Sequence, residues 1–218
     1  MRRLSKSFGD VRALTGVDLC VSRGEVVGVV GPNGSGKSTL LGVAAGLVRA
    51  DGGSAFVAGA PVGTRAAARG TALVPDEPSG LDELTVWELL VLLAVLHGAS
   101  DQVERRRTVL TEAFELAPLF QRRLGELSRG QRRRAALVAA LQLDAQLVLV
   151  DEATATLDAD SVGALQDALV SVAARGAGVL LATHDRRFLE AIADDVVTLD
   201  RGALVPDPIG RCREPVLV

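Results

Sequence analysis

The sequence is poor in several things at once. It has no tyrosine, one tryptophan, two histidines and two cysteines. The cysteines, Cys20 and Cys212, make neither a metal-ligand spacing nor a disulfide framework, which suits a reducing compartment. There is no excess of positive charge: the net charge is −3, so nothing global marks a partner such as nucleic acid or an anionic membrane. No long hydrophobic run is present either. The most apolar stretch, Val86–Leu96, contains Glu88 and is far shorter than the ~20 residues a bilayer span needs. Met1–Asp10 is basic and polar and does not read as a secretory signal. The expectation is a soluble chain; if it works at a membrane, another polypeptide supplies the spans. With 218 residues, 48% of them hydrophobic, it has material for one domain, or for one domain carrying an inserted subdomain.

What is present centres on Gly31–Thr39, Gly-Pro-Asn-Gly-Ser-Gly-Lys-Ser-Thr. This fits G-x-x-x-x-G-K-[ST] through Gly31, Gly36, Lys37 and Ser38. The chemistry behind the spacing is phosphate binding. Glycines let the backbone of Gly31, Pro32, Asn33, Gly34, Ser35 and Gly36 wrap tightly and turn N–H groups inward. Lys37 adds a point charge for β- and γ-phosphates, and Ser38 offers a hydroxyl to Mg²⁺. The context agrees. Glu25–Val30 is a short β-branched run and reads as a buried strand, and Ser38 onward can start a helix whose N-terminus faces the phosphates.

The rest of the chain supplies strands, helices and a few isolated polar groups. Alternation at Val17, Leu19 and Val21 predicts a strand with one buried face. Phe8 stands out among so few aromatics; it either stacks on a base or is a partly buried edge residue. Ala50–Gly53 reads as a turn, with short strands over Ser54–Val57 and Thr71–Val74. Pro75–Gly80 breaks the pattern, and the character beyond it is helical. Thr85 and Glu88 have capping-box spacing ahead of Val86–Leu96, a helix apolar on nearly every side and so either buried or docked to a partner. Asp101 and Glu104 are candidate caps of a second helix with Val109, Leu110, Ala113 and Phe114 as its apolar side. Leu127-Ser-Arg-Gly-Gln131 precedes a third helix, from Arg132 to about Leu143, again with capping-box spacing at Ser128 and Gln131. A serine at a helix N-terminus followed by Gly130 makes an anion site. Arg132–Arg134 either draw in phosphate or form a solvated face, and the solvated face is the expectation.

Leu147–Glu152 reads as a buried strand ending in two acids, beside the crevice where open α/β sheets bind ligands. Asp151 suits Mg²⁺ and Glu152 suits orienting and deprotonating an attacking water. An amphipathic helix over Ser161–Ala174 and a strand over Gly178–Thr183 follow, so His184 stands at the same rim as those acids. His97 ends a helix and carries no role. Asp195–Leu199 is a last strand, Arg201-Gly202 a turn and Pro206–Val218 a loose tail. Strands alternating with helices imply an α/β fold with a mostly parallel sheet. Residues 1–75 and 144–218 would form this core, with a small N-terminal antiparallel β part, and 76–143 an inserted α-helical subdomain.

The phosphate loop, Leu127–Gln131, Leu149–Glu152 and His184, in this order, resemble the ATP-binding subunit of ABC transporters, a P-loop NTPase of RecA-like fold. The Leu-Ser-x-Gly-Gln element discriminates, because other P-loop proteins lack it. The resemblance covers about Leu4 to Gly202. It implies that Gly31–Thr39, with Thr39 the last of the run, is the Walker A loop, Asp151 the Walker B aspartate, Glu152 the catalytic base and His184 the switch histidine. It implies that Ser128, Gly130 and Gln131 contact ATP held by a second subunit in a head-to-tail homodimer or heterodimer, that Asp158 lies at that interface, and that Phe8 stacks on adenine. The expected cofactors are ATP and Mg²⁺. The expected partner is a separate multi-span transmembrane subunit at the cytoplasmic face of the membrane, with no nucleic acid.

The departures from the family pattern are Arg129 for a glycine, Ala153 for the usual proline, and Asp76 for the usual glutamine, where an acid can still bind Mg²⁺. Pro75-Asp-Glu-Pro, Leu84-Thr-Val-Trp-Glu and Leu96-His-Gly look like the exporter branch that handles drugs, antibiotics, lipids or haem-maturation cargo. The alternatives are a soluble ABC ATPase of DNA repair or translation, disfavoured by a single cassette without a heptad run, and a non-hydrolysing regulatory cassette.

Overall fold

The computed structural model describes residues 1–77 and 80–205. The expected tail, and Pro78 and Ser79 of the expected break, lie outside the described residues. In chain order the elements are β1 (Arg2–Phe8), β2 (Val11–Val17), β3 (Val26–Val30), α1 (Lys37–Ala44), β4 (Gly52–Ser54), β5 (Phe56–Val57), β6 (Ala60–Pro61), α2 (Arg65–Arg69) and β7 (Thr71–Val74). They continue with α3 (Val86–His97), α4 (Asp101–Ala113), α5 (Arg129–Leu141), β8 (Leu147–Val150), α6 (Ala159–Ala174), β9 (Gly178–Ala182), α7 (Arg186–Ile192), β10 (Asp195–Asp200) and β11 (Ala203–Val205).

A six-stranded sheet of order β11-β10-β3-β9-β8-β7 forms the centre. All its pairings are parallel except that of β11. Its inner strands are short apolar runs because helices cover both faces; β3 and β9 are buried at every residue. One apolar cluster joins α5, α6 and α7 to the sheet. A second, on the opposite side, packs Leu40 and Leu41 of α1 with Leu4 and Leu14 of the β2-β1-β4 antiparallel sheet. The mostly parallel core and the N-terminal antiparallel part are thus as expected. Between β7 and β8, the described longer elements are α3, α4 and α5.

Local chemistry sets the helix starts. Thr85 and Glu88 close a reciprocal capping box on α3. Ser128 and Gln131 do the same on α5. The C-terminal carbonyls of α5 receive Arg106 (2.8 Å to the Gln142 oxygen) and Arg175 (3.4 Å to that of Leu141), cations suited to the negative end of a helix. The helix α3 is two-sided. Val86, Leu89, Leu90 and Ala94 are buried, whereas Trp87, Leu92, Val95 and Leu96 are exposed.

Several expectations need correction. The strand anticipated at Val17–Val21 is β2, ending at Val17, although Leu19 is still buried. Gly52 and Gly53, expected in a turn, pair as β4 with β1. Ser100, rather than Asp101, caps α4, and Val109 on that helix is 66% exposed instead of facing the core. The helix α5 begins at Arg129, three residues earlier than anticipated, because the Ser128 cap sets its origin. Arg133 falls on the same stripe as Leu137 and Leu141, and it is 2% exposed, not part of a solvated face.

The two sides of α3 make a direct test of this packing. Leu90→Ala empties a fully buried position and should cost roughly 2–5 kcal/mol. Leu92→Ala, on the exposed side, should change stability by only about 0.5 kcal/mol. Denaturant unfolding of both variants checks this; equal losses would contradict the assignment of faces.

Candidate nucleotide-binding site

The site lies at the C-terminal edge of the parallel strands. Pairing of Val29 with Ala182 and of Leu181 with Val150 levels the ends of β3, β9 and β8, so the residues following each strand share one rim. These are the phosphate loop after β3, Thr183-His184 after β9, and Asp151-Glu152 after β8.

The phosphate loop is shaped by glycine. Gly31 has φ 156°, and a Cβ there would stand 2.1 Å from the Leu199 carbonyl oxygen. Gly36, at φ 109°, caps α1; a Cβ there would stand 2.3 Å from the Ala13 oxygen of β2. The loop is therefore wedged between β10 and the β1–β2 hairpin. The Lys37 side chain curls back into it, its Nζ donating to the Gly31 oxygen at 2.8 Å and the Pro32 oxygen at 3.2 Å. Lys37 is buried, and so is Ser35, whose hydroxyl has no hydrogen-bond partner. A buried ammonium held chiefly by carbonyl dipoles is poised for anionic oxygens.

The acids complete the rim. Asp151 is 7% exposed and its Oδ1 is buried without a hydrogen-bond partner. An unpaired buried carboxylate oxygen is costly unless a cation completes it. Glu152 has φ 50°, a left-handed conformation that costs a non-glycine residue roughly 1–3 kcal/mol. Its Oε1 lies 3.2 Å from His184 Nε2, which lies 3.5 Å from Lys37 Nζ. Asn33, Asp76, Glu152, Ala155 and His184 line one open cleft. The sequence-predicted Lys37, Glu152, His184 and Asp76 thus converge. Ala153, at the usual proline position, donates its N–H to the Ala182 oxygen at 3.1 Å, a bond proline cannot make.

Other predicted residues stand apart. Ser128, Gly130 and Gln131 line a separate cleft with Thr156 and Asp158. Gly130 is needed for this close approach, since a Cβ there would come within 2.9 Å of the Thr156 oxygen. Asp158 caps α6, and its bonds from the Ser161 side chain and backbone hold its carboxyl below the usual range. Arg129 forms an exposed ion pair with Glu77 at 3.7 Å. Phe8 ends β1, is 52% exposed, and carries Lys6 Nζ 5.2 Å from its ring centre. Arg133 was missed as a functional candidate. Its signal is the i, i+4, i+8 spacing of Arg133, Leu137 and Leu141, which puts it on the buried stripe of α5.

Fold and site together define a P-loop nucleotide-binding protein. The sequence pattern of the ABC transporter family matches residues 14–155. The doxorubicin resistance ATP-binding protein DrrA of Mycobacterium tuberculosis is 35% identical over 202 residues, spanning 91% of this chain and 61% of that protein. The SkfA peptide export ATP-binding protein SkfE of Bacillus subtilis is 32% identical over 208 residues, 95% of this chain and 87% of that one. A solved ATP-binding subunit of an ABC transporter superposes with a TM-score of 0.89 at 31% identity, covering 95% of this chain and 88% of that one. The chain belongs to the ABC transporter family, as one of its ATP-binding cassettes. It spans 61% of the length of DrrA and 66% of the Nod factor export ATP-binding protein I of Rhizobium sp. strain N33, among the curated relatives it matches. The dimeric cassette MJ0796, bound to ADP and Pi after hydrolysis, shares the fold with a TM-score of 0.83 at 23% identity.

Nucleotide affinity tests the wedge around the loop. Gly36→Ala should weaken ATP binding at least about tenfold, ~1.4 kcal/mol, because the new methyl group must push the loop off β2. A fluorescent ATP analogue titrated against both proteins measures this; unchanged affinity would contradict the reading.

Proposed function

We propose that this chain binds and hydrolyses ATP and couples closure of a cassette dimer to export of a substrate by a separate multi-span membrane subunit. The observation that carries the proposal is the run Lys37–His184–Glu152 beside the unpaired Asp151 oxygen, all at one sheet edge. Ser38 and Asp151, with Asp76 as a further oxygen donor, would hold Mg²⁺, an assignment supported by the orphaned Asp151 Oδ1 and by the hard-oxygen chemistry of the set. Bound there, the ion neutralises phosphate charge.

The chain's own groups do the rest. Lys37 exchanges its carbonyl partners for β- and γ-phosphate oxygens. Glu152 orients the attacking water and takes its proton. His184, with its Nε2 3.2 Å from Glu152 Oε1, aligns that carboxylate and faces the transferred phosphoryl group. Ser128, Gly130 and Gln131 lie in another cleft and would reach the nucleotide of a second copy, or of a related chain, across a head-to-tail interface. Phe8, exposed at the end of β1, would stack on adenine. Residues 76–143 would move as a helical subdomain, with the exposed side of α3 toward the membrane subunit at the cytoplasmic face. The export direction rests on the relatives, which are named as resistance and export ATP-binding proteins. No helix among the described residues is long and apolar enough to cross a membrane.

The test is Glu152→Gln. Removing a general base should lower steady-state ATP hydrolysis by roughly 10²–10⁴-fold while ATP still binds. Wild-type turnover in that variant would refute the role of Glu152, and undetectable turnover in the unaltered protein assembled with its membrane partner would favour a non-hydrolysing cassette.

A further inference from the structure

Arg133 is a buried cation for which the site chemistry has so far given no use. It is 2% exposed and, among the described residues, lies in no ion pair. Its two terminal nitrogens donate to main-chain carbonyls from two loops, while Nε is buried without a hydrogen-bond partner. Nη1 donates to the oxygens of Pro75 and, at 3.4 Å, Asp76, in the loop leaving β7. Nη2 donates to the oxygens of Asp151 and, at 2.8 Å, Glu152, in the turn leaving β8. Such planar, forked donation is what arginine does and lysine cannot. Burial lowers its tendency to stay charged, while the nearby carboxylates of Asp76, Asp151 and Glu152 act the other way, and a guanidinium stays protonated in either case.

The placement is specific. The residue grows from the second turn of α5, whose first turn carries Ser128, Gly130 and Gln131. It grips the backbone of Glu152 itself, at a residue held in the left-handed region. Main-chain carbonyls that receive a buried charge are fixed in direction, and the carboxylate borne by that turn is fixed with them. One side chain therefore joins the turn that carries Glu152, the loop that carries Asp76, and the helix that presents the signature residues.

We propose that Arg133 is a positioning residue for Glu152, holding its carboxylate in the productive direction and locking the Pro75–Asp76 loop and the α5 N-terminus to it as one unit. The proposal rests on the reading of Glu152 as the general base. It predicts that movement of the signature helix, or of the Pro75–Asp76 loop, reaches the base through this guanidinium and not through the phosphate loop, which Arg133 does not touch.

Steady-state hydrolysis and ATP affinity of Arg133→Lys and Arg133→Gln test it, alone and in the Glu152→Gln background. Misdirecting a catalytic group typically costs on the order of 10–100-fold, so kcat should fall by that much in both single variants. KM and the affinity for a fluorescent ATP analogue should stay within about twofold, since Lys37 and its loop are untouched. In the Glu152→Gln background, Arg133→Lys should lower the residual rate no further, because the group it positions is already gone. The proposal is overturned by wild-type kcat in Arg133→Lys, by a rise in KM of the same size as the fall in kcat, by a full further loss in the double variant, or by failure of both variants to fold by circular dichroism. Undiminished hydrolysis in Glu152→Gln alone would instead remove the general-base reading, which separates the two failures.

Discussion

The level parallel pairing of β3, β9 and β8 is the constraint on which the rest depends. These strands carry almost no polar side chains, so burial between helices on both faces holds their alignment. A slip of one residue would exchange the faces of a whole strand and part the residues at its end. With the register as it stands, the phosphate loop, the Asp151-Glu152 turn and His184 meet without any long side chain having to search for its partner. The core is thus what sets the chemistry's geometry, and the polar residues are fitted to its edge.

Two buried cations then stabilise that edge from below, Lys37 under the phosphate loop and Arg133 under the acidic turn. Both donate to backbone carbonyls, Lys37 to Gly31 and Pro32 and Arg133, through Nη1 and Nη2, to the loops after β7 and β8, while Arg133 Nε is buried without a hydrogen-bond partner. They differ in what they leave free. Lysine is a compact point charge that can trade its carbonyls for a ligand's oxygens, whereas the guanidinium fork is committed in several directions at once. One suits capture of phosphate and the other suits holding a turn still. The unpaired oxygen of Asp151 is, on the proposed reading, a hard donor available to a divalent cation.

Much of this was legible in the sequence because the signals are local. The phosphate loop, the Ser128–Gln131 and Thr85–Glu88 capping boxes, and the acids ending β8 are each set by residues a few positions apart. The convergence of His184 with Glu152 followed from strand ends alone. Errors arose where tertiary packing overrides the local pattern. Val109 looks apolar on a helical wheel, yet α4 turns Val103 and Thr111 inward instead. Leu19 stays buried after β2 has ended, so alternation ran past the strand. Arg133 departs from the local pattern because arginine is rarely buried, so a run of three arginines reads as a solvated face. The apolar helix α3 illustrates a different limit: its sequence does not divide its surface, and the structure gives it one buried side and one exposed side.

On the proposed reading, a complete site needs the phosphate loop and acids of one chain and the signature residues of another. Mixing two inactive variants tests this most directly. Lys37→Met disables the first set and Ser128→Arg the second, and a mixed dimer contains one site with both sets intact. Each variant alone should hydrolyse little ATP, and the mixture, with the membrane subunit present, should recover hydrolysis well above either. A mixture no more active than its components, or a Ser128→Arg protein as active as the unaltered chain, would contradict it.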